Sequence, residues 1–262
     1  MAMRGIDRGV TSTKRSFLKS SVSWGWRNIP VTRGMHVTAV ARDNTSSNEW
    51  LIRQSRDPYV KMAKTKHYRA RSAFKLIEID DKYRFLKPGS VVVDCGASPG
   101  AWTQVAVQRV NADSRDKTNK VGRVISIDLL PIHPIEGATM LEKCDLTSSE
   151  TQRKVEALLG GAGVDALISD MSPNATGMQQ LDHELIVRLC YHALAFAHRV
   201  LAPRGVLLCK SFDGGDSQRL LRDLRKLFDV VKTVKPRASR SDSVESFCFA
   251  GGFKGRAKTG VS

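Results

Sequence analysis

The sequence lacks the features that mark membrane-spanning, disulfide-bonded and metal-binding proteins. No apolar run in its 262 residues approaches the length of a membrane span or of a secretory signal, so we expect neither. The five cysteines are odd in number and widely scattered, which argues against a disulfide framework. The six histidines form no HxxxH or Cys-His cluster, so we also expect no metal site.

Acidic residues are scarce, above all near the N-terminus. The chain has 26 Asp and Glu against 42 Lys and Arg, and its formal net charge of +16 points to a polyanionic partner. Residues 1–42 contain eight basic residues and one acid, and residues 53–75 contain the same numbers. Two basic blocks therefore precede a body whose charges are nearly balanced.

The first basic block has the composition of an organellar transit peptide, because it is rich in Arg, Ser and Thr and almost free of acids. A disordered RNA-binding tail is the alternative. We predict four segments: a transit peptide or disordered basic segment at 1–42, a basic helical extension at 43–89, a core domain at 90–252 and a basic tail at 253–262.

From about residue 90 the chain alternates between short β-branched runs and stretches of helical length. This order predicts an α/β fold, a single Rossmann-like domain with a seven-stranded, mostly parallel sheet and helices on both faces. The last two strands should form an antiparallel terminal hairpin joined by loop 235–242. The expected strands are Ser90–Cys95, Arg123–Asp128, Ala138–Cys144, Ala166–Asp170, Gly205–Phe212, Val230–Val234 and Val244–Phe249. The expected helices are Gly100–Val110, Ser149–Leu159, Leu181–Leu201 and Ser217–Phe228, after two short ones between about residues 57 and 84.

Ligands bind such sheets at the carboxyl ends of the strands, where the strand order reverses. The first expected strand ends in a turn that reads DCGASPGAW over residues 94–102. Gly96 and Gly100 would let the backbone approach a ligand, which the N-terminus of the next helix would face. The turn is not GxGxxG and no GK[ST] occurs, so dinucleotides and nucleoside triphosphates are disfavoured.

Charged residues close five successive strands. Asp94, Asp128 and Asp145 together predict a nucleoside-shaped pocket, with Asp128 accepting hydrogen bonds from a ribose diol and Asp145 meeting the base. Capping of the following helix is the alternative for Asp145. Lys210 and Asp170 should pair, because a buried lysine needs a nearby carboxylate. For that pair, a purely structural contact at the sheet rim is the alternative.

The motifs DCGASPGAW, ISIDLLP, LISDMSPN, LCKSF and KPRASRSDSVES, preceded by RARSAFKL, resemble those of the FtsJ-like ribosomal RNA 2′-O-ribose methyltransferases. The resemblance runs from about residue 50 to 252. RDPYVKMAK and EGATML are most similar to the animal mitochondrial branch, which methylates a uridine ribose of the large-subunit ribosomal RNA. The resemblance implies a methyltransferase, S-adenosyl-L-methionine as cofactor, ribosomal RNA or an immature large ribosomal subunit as partner, and the mitochondrial matrix as location.

The family's catalytic tetrad maps onto motifs of this chain as Lys75, Asp170, Lys210 and Glu245. The resemblance also implies cofactor contacts from Pro99, Gly100, Ala101, Trp102, Asp128, Asp145 and Asp170, beside Asp94 and Gly96 of the same turn. The chain departs from the family's EVY pattern, because Phe247 stands where the family has an aromatic hydroxyl. A hydrogen bond from that position is therefore not expected.

Methyl transfer to a ribose requires that the 2′-oxygen be aligned with the methyl group and lose its proton. Lys210 is the candidate proton acceptor, provided that burial and Lys75 lower its pKa. The alternative is that Lys210 only steers a lone pair of the hydroxyl. Asp170 would orient Lys210, and Glu245 would fix Lys75 or the substrate ribose.

Basic residues flank this site on both sides and are expected to neutralise RNA phosphates, which gives affinity and salt dependence. They are Arg53, Arg56, Lys61, Lys64, Lys66, Arg69 and Arg71 before the tetrad lysine, and Lys235, Arg237 and Arg240 before the tetrad glutamate. Tyr59, His67 and Tyr68 either stack on bases or pack in the core.

Two other functions remain compatible with these residues. A small-molecule methyltransferase would use the same sheet but would not need the basic blocks. A catalytically secondary RNA-binding factor in ribosome assembly would need the basic blocks but not the tetrad. We expect the protein to be a monomer.

Overall fold

The fold is a seven-stranded sheet with helices on both faces. The computed structural model describes residues 52, 54–214, 217–241 and 243–255. The strands are β1 Val91–Cys95, β2 Arg123–Ile127, β3 Ala138–Leu141, β4 Val164–Ser169, β5 Leu201–Phe212, β6 Phe228–Val234 and β7 Glu245–Phe253. Their order is β3-β2-β1-β4-β5-β7-β6, with β1 to β5 parallel and β7 antiparallel to β5 and β6. The predicted fold class and its terminal hairpin are confirmed.

Among the described residues, six helices with defined bounds connect or flank these strands. They are α1 Pro58–Thr65, α2 Ala73–Tyr83, α3 Ala101–Val110, α4 Ser149–Leu159, α5 Gln179–Val200 and α6 Ser217–Leu227. Local signals set several of their ends. Asp57 caps α1 by accepting a hydrogen bond from Tyr59 N, and Pro58 occupies the first turn. Ser148 caps α4, which ends at Gly160 with a φ of +60°.

The sheet carries a hydrophobic core on each face. Helices α2 and α3 cover one face with buried residues such as Leu76 and Val105, and α4, α5 and α6 cover the other with residues such as Leu194. Strand β1 contributes Val92 to the first core and Val93 to the second, as the alternation of a strand requires. Helix α2 precedes the sheet in sequence, but its buried side chains belong to the same core as those of α3.

Several element bounds differ from the expected ones, each by one to four residues. Strand β3 is the case with a consequence for the site: it ends at Leu141 rather than Cys144. Lys143 has a φ of +53°, so the backbone turns there and the pleat cannot continue. Strand β7 extends to Phe253 because Gly251 and Phe253 pair with β6, beyond the last pair with β5 at Ala250.

Some predictions fall on parts of the chain that the structure does not describe. The predicted transit segment at 1–42, Arg53 and residues 256–262 of the predicted basic tail lie outside the described residues. Within the described ranges, no helix has the length and apolar character that a membrane crossing requires. The same residues contain no cluster of three or more His, Cys, Asp or Glu suited to a metal ion.

Candidate active site

Three strands and one helix bring the predicted catalytic residues together. Asp170 follows β4 and Lys210 lies near the end of its parallel neighbour β5. Glu245 begins β7 and pairs with Phe212, two residues beyond Lys210, so the Glu245 and Lys210 side chains share one face of the sheet. Helix α2 packs on that face and contributes Lys75.

The four side chains form a chain of alternating charge. Lys75 Nζ lies 2.6 and 2.8 Å from the two carboxylate oxygens of Glu245. Glu245 Oε2 lies 3.6 Å from Lys210 Nζ, which in turn lies 2.9 Å from Asp170 Oδ1 and donates to the Asp170 carbonyl at 3.1 Å. The side chains keep only 10 to 16% of their exposure. The expected contact between Lys210 and Asp170 is therefore present, within a larger cluster.

The charges in this cluster stabilise one another. Burial alone would lower the pKa of Lys210, but Asp170 and Glu245 outweigh it and raise that pKa above its ordinary value. Burial would raise the pKa of Glu245, whereas Lys75 and Lys210 hold it below its ordinary value. The condition for Lys210 as proton acceptor, a pKa lowered by burial and Lys75, is therefore not met, because Asp170 pairs with Lys210 and Glu245 lies between the two lysines.

Two residues that the sequence did not single out support Glu245. Ser239, in the loop between β6 and β7, donates a hydrogen bond from Oγ to Glu245 Oε1 at 2.8 Å. Glu78 accepts hydrogen bonds from the backbone of the same loop, at 2.6 Å from Arg237 N and 3.4 Å from Ala238 N. Glu78 stands one turn after Lys75 on α2. This i, i+3 spacing is the feature of the sequence that could have identified Glu78 as a residue near the cluster.

The turn after β1 lies beside Asp170, because Cys95 is in register with Ser169. Asp94, just before the turn, is fully buried and accepts a hydrogen bond from Thr103 Oγ1 at 2.7 Å. Its Oδ1 has no hydrogen-bond partner among the described residues. Burial raises the pKa of Asp94 to about 7. An unpartnered buried oxygen here suits a site that takes a hydrogen-bond donor.

Asp128 and Asp145 lie close together beyond β2 and β3. The Asp128 carboxylate accepts hydrogen bonds from Ser98 N at 2.7 Å and Leu130 N at 2.8 Å, and it keeps further lone pairs. Asp145 follows β3 by four residues instead of ending it, but Cys144 N donates to the Asp128 carbonyl at 2.9 Å and returns the chain to this edge. Asp145 Oδ1 accepts hydrogen bonds from Thr147 N and Oγ1, both at 2.8 Å, and the side chain remains exposed. The capping alternative for Asp145 is wrong, because Ser148 caps α4.

The glycines of the turn are required by the packing of the protein itself. Gly96 has a φ of +77°, and a Cβ there would lie 2.5 Å from Met171 Cγ. Gly100 has a φ of +110°, and a Cβ there would lie 2.6 Å from Arg69 Nη1. Neither position tolerates a side chain, whether or not a ligand approaches the backbone.

The rest of the turn divides between core and surface. Trp102 is buried, donates from Nε1 to the Ser72 carbonyl at 2.9 Å and packs against Phe247. Its indole is therefore used within the core, and only its backbone remains for a cofactor. Ala101 is buried as the first residue of α3, whereas Pro99 is exposed.

Comparisons with known proteins agree with this arrangement. A model of the FtsJ-like methyltransferases matches residues 68–253. The chain belongs to this family. It is 51% identical over 210 residues to the rRNA methyltransferase 2, mitochondrial, of Drosophila melanogaster, covering 80% of this chain and 84% of that protein. It is 50% identical over 224 residues to the ribosomal RNA large subunit methyltransferase E of Parvibaculum lavamentivorans, covering 85% and 87%. A crystal structure of a ribosomal RNA methyltransferase from Plasmodium falciparum superposes with a TM-score of 0.63 at 27% identity, over 72% of this chain and 100% of that one.

Two of the basic residues expected to bind RNA are used within this FtsJ-like methyltransferase itself. Arg69 donates to the carbonyls of Pro99 at 2.9 Å, His133 at 2.6 Å and Pro134 at 2.8 Å. Arg71 pairs with Asp57 and donates to the Ala238 carbonyl. These contacts leave Arg69 and Arg71 few donors for phosphates. The described remainder is exposed or half-buried and comprises Arg56, Lys61, Lys64, Lys66, Lys235, Arg237 and Arg240.

The aromatic residues considered for base stacking follow the packing alternative in two of three cases. The ring centroids of Tyr59 and Tyr68 lie 5.6 and 5.7 Å from that of Phe74, so both rings pack in this FtsJ-like fold. His67 is exposed.

Proposed function

We propose that this protein transfers a methyl group from S-adenosyl-L-methionine to a ribose 2′-hydroxyl, that of a uridine, in large-subunit ribosomal RNA of the mitochondrial matrix. The observation that carries the proposal is the chain from Lys75 through Glu245 and Lys210 to Asp170, beside the turn after β1. Two relatives, a mitochondrial rRNA methyltransferase and a ribosomal RNA large subunit methyltransferase, support the substrate and the location.

The residues around the turn fit this cofactor. Asp128 would accept the ribose hydroxyls, Asp145 would face the adenine and Asp170 the methionyl part, while the backbone of residues 99–102 would line the site. Asp94 Oδ1 supplies a buried acceptor without a partner among the described residues. S-adenosyl-L-methionine, when bound, supplies a methyl group on a positively charged sulfur that an oxygen can attack in line.

The raised pKa of Lys210 favours the steering role over proton acceptance, since a protonated ammonium has no lone pair. Lys210 Nζ would donate a hydrogen bond to the 2′-oxygen, and Asp170 would fix Nζ. Glu245, held by Lys75 and Ser239, would accept the hydrogen bond of the hydroxyl and would take its proton once the oxygen–methyl bond has formed. The 2′-oxygen then presents a lone pair in the direction of attack.

The test is methylation of RNA by the wild-type protein and by Lys210→Ala. Each is incubated with labelled S-adenosyl-L-methionine and either naked mitochondrial large ribosomal RNA or immature large subunits, and the labelled position is mapped by its resistance to alkaline cleavage. We expect label at a 2′-oxygen, reduced by at least about a hundredfold in Lys210→Ala, because the orientation of the nucleophile is lost. Lys154→Ala, at an exposed lysine of α4, is the matched control.

The other outcomes separate the alternative functions. Label on a base or on protein contradicts the proposed chemistry. Methylation of free nucleosides without RNA indicates a small-molecule methyltransferase. A Lys210→Ala protein that lacks methylation but still supports assembly of the large subunit indicates that RNA binding is the main function.

A further inference from the structure

A second cavity adjoins the catalytic cluster. It is a groove of about 1180 Å³ between the N-terminal end of α1 and the loop from β6 to β7, here named the side groove, and Asp57, Arg71, Arg237 and Arg240 are among its lining residues. Arg71 and Arg240 also line a smaller pocket of about 270 Å³ that contains Lys75 and Glu245. A chain-like ligand that enters the small pocket therefore has the side groove as its continuation.

The lining of the side groove is strongly basic. Its charged side chains are one acid, Asp57, and five bases, Arg56, Arg71, Lys235, Arg237 and Arg240. The guanidinium groups of Arg56, Arg237 and Arg240 make no hydrogen bond to any described side chain or backbone group, in contrast to Arg71. A free guanidinium offers a fork of donors that matches a phosphate.

Asp57 contacts two of these five bases, Arg71 and Arg240. Its side chain is only 9% exposed, caps α1 through Tyr59 N and pairs with Arg71. Arg240 Nε lies 3.9 Å from Asp57 Oδ2, which is within the range of an ion pair but beyond a hydrogen bond. Arg240 is thus drawn toward Asp57 but keeps its donors.

We propose that the side groove binds the phosphodiester backbone next to the target nucleotide, and that Asp57 takes the place of the phosphate beside Arg240 until RNA arrives. The inference rests on the proposed function. A phosphate offers Arg240 a bidentate contact in place of one at 3.9 Å. Arg240 would turn from Asp57 to the phosphate while Asp57 stays in place. Arg71 holds Asp57 there, because Arg71 also donates a hydrogen bond to the Ala238 carbonyl.

The test uses Asp57→Asn and Arg240→Gln in the full chain. Asn caps a helix as well as Asp does, so Asp57→Asn removes the charge and keeps the cap. Affinity for a transcript of the large ribosomal RNA is measured across a range of KCl concentrations. We expect Asp57→Asn to bind about three- to tenfold more tightly at low salt. Arg240→Gln should bind more weakly, with a salt slope lower by about 0.7 to 0.9. Asp57→Asn with Arg240→Gln should lose most of the gain.

Matched controls are Asp116→Asn and Arg115→Gln, in the loop between α3 and β2 at the opposite edge of the sheet. Unchanged or weaker binding by Asp57→Asn, or an Arg240→Gln effect no larger than that of Arg115→Gln, overturns the inference. Ribose methylation is measured separately. Expected binding without methylation contradicts only the proposed function, and normal methylation with unaltered binding contradicts only the role of the side groove.

Discussion

The carboxyl group of Asp94 is fully buried and, among the described residues, accepts a single hydrogen bond, from Thr103 Oγ1. Burial raises its pKa to about 7; Thr103 opposes this shift, and Asp170 and Asp128 add to it. The folded protein therefore binds this proton more tightly than the unfolded chain, in which an aspartate has a pKa of about 4. The contribution of Asp94 to stability is complete below about pH 4 and is lost as the pH rises through about 7.

Substitution of Asp94 by Asn should remove this pH dependence. Asn can still accept the hydrogen bond of Thr103, but its amide replaces the unpartnered Oδ1 and adds a cost that does not vary with pH. We therefore expect the unfolding free energy of Asp94→Asn, relative to wild type, to rise between about pH 4 and 7 by up to about 4 kcal/mol and to level off above that. Urea unfolding at a series of pH values measures the difference. Parallel curves for the two proteins would show that Asp94 has the same pKa in the folded and unfolded states, against a pKa raised by burial.

At the scale of elements, the loop between β6 and β7 determines the position of Glu245. Glu78 on α2 holds the backbone of the loop, and Ala238 is buried against Ala63 and Phe74. Ser239 then reaches Glu245 Oε1 at 2.8 Å. Because Glu78 and Lys75 lie on the same helix, α2 fixes the position of the loop relative to Lys75.

Ser239→Ala should impair turnover more than binding. Loss of this hydrogen bond frees one oxygen of Glu245, so we expect kcat for RNA methylation to fall by about tenfold, with KM for S-adenosyl-L-methionine within twofold of wild type. Ser239→Thr keeps the hydroxyl and should restore most of the rate. If Ser239→Ala lowered only the unfolding midpoint, or if Ser239→Thr failed to restore the rate in a folded protein, Ser239 would have a structural role alone.

The strand ends could be predicted from the sequence, and the loops could not. Asp170 and Lys210 close neighbouring buried runs, so the rules of parallel sheets place them at one edge. Arg69 and Arg71 donate hydrogen bonds to carbonyls in loops that are distant in sequence. The sequence of a basic block does not show whether its side chains contact solvent, RNA or a carbonyl, so these contacts could not be predicted. The pKa of Lys210 is raised by Asp170 and also by Glu245, which is 35 positions away in a strand of the opposite direction. No local pattern in the sequence predicts the contact with Glu245.

At the scale of the whole molecule, the two cores share one sheet. Adjacent residues of β1, Val92 and Val93, belong to opposite cores, so neither core can separate from its helices without disturbing strands that the other needs. This arrangement predicts that the described region unfolds in a single cooperative transition.

Leu76→Ala and Leu194→Ala test this coupling from the two faces. Leu76 of α2 is 0% exposed and Leu194 of α5 is 1% exposed, so each truncation should lower the unfolding free energy by about 2 to 5 kcal/mol. Leu129→Ala, at a side chain that is 63% exposed, is the matched control and should lower the unfolding free energy by less than about 0.5 kcal/mol.

Unfolding in urea is followed by circular dichroism, and hydrogen exchange of the β4 amides is measured separately. Because β4 lies under both cores, we expect both core variants to shift one common transition and to accelerate exchange of the same amides by the same global opening. Two separate transitions, or loss of protection confined to the face that carries the substitution, would mean that the two halves of the core unfold independently.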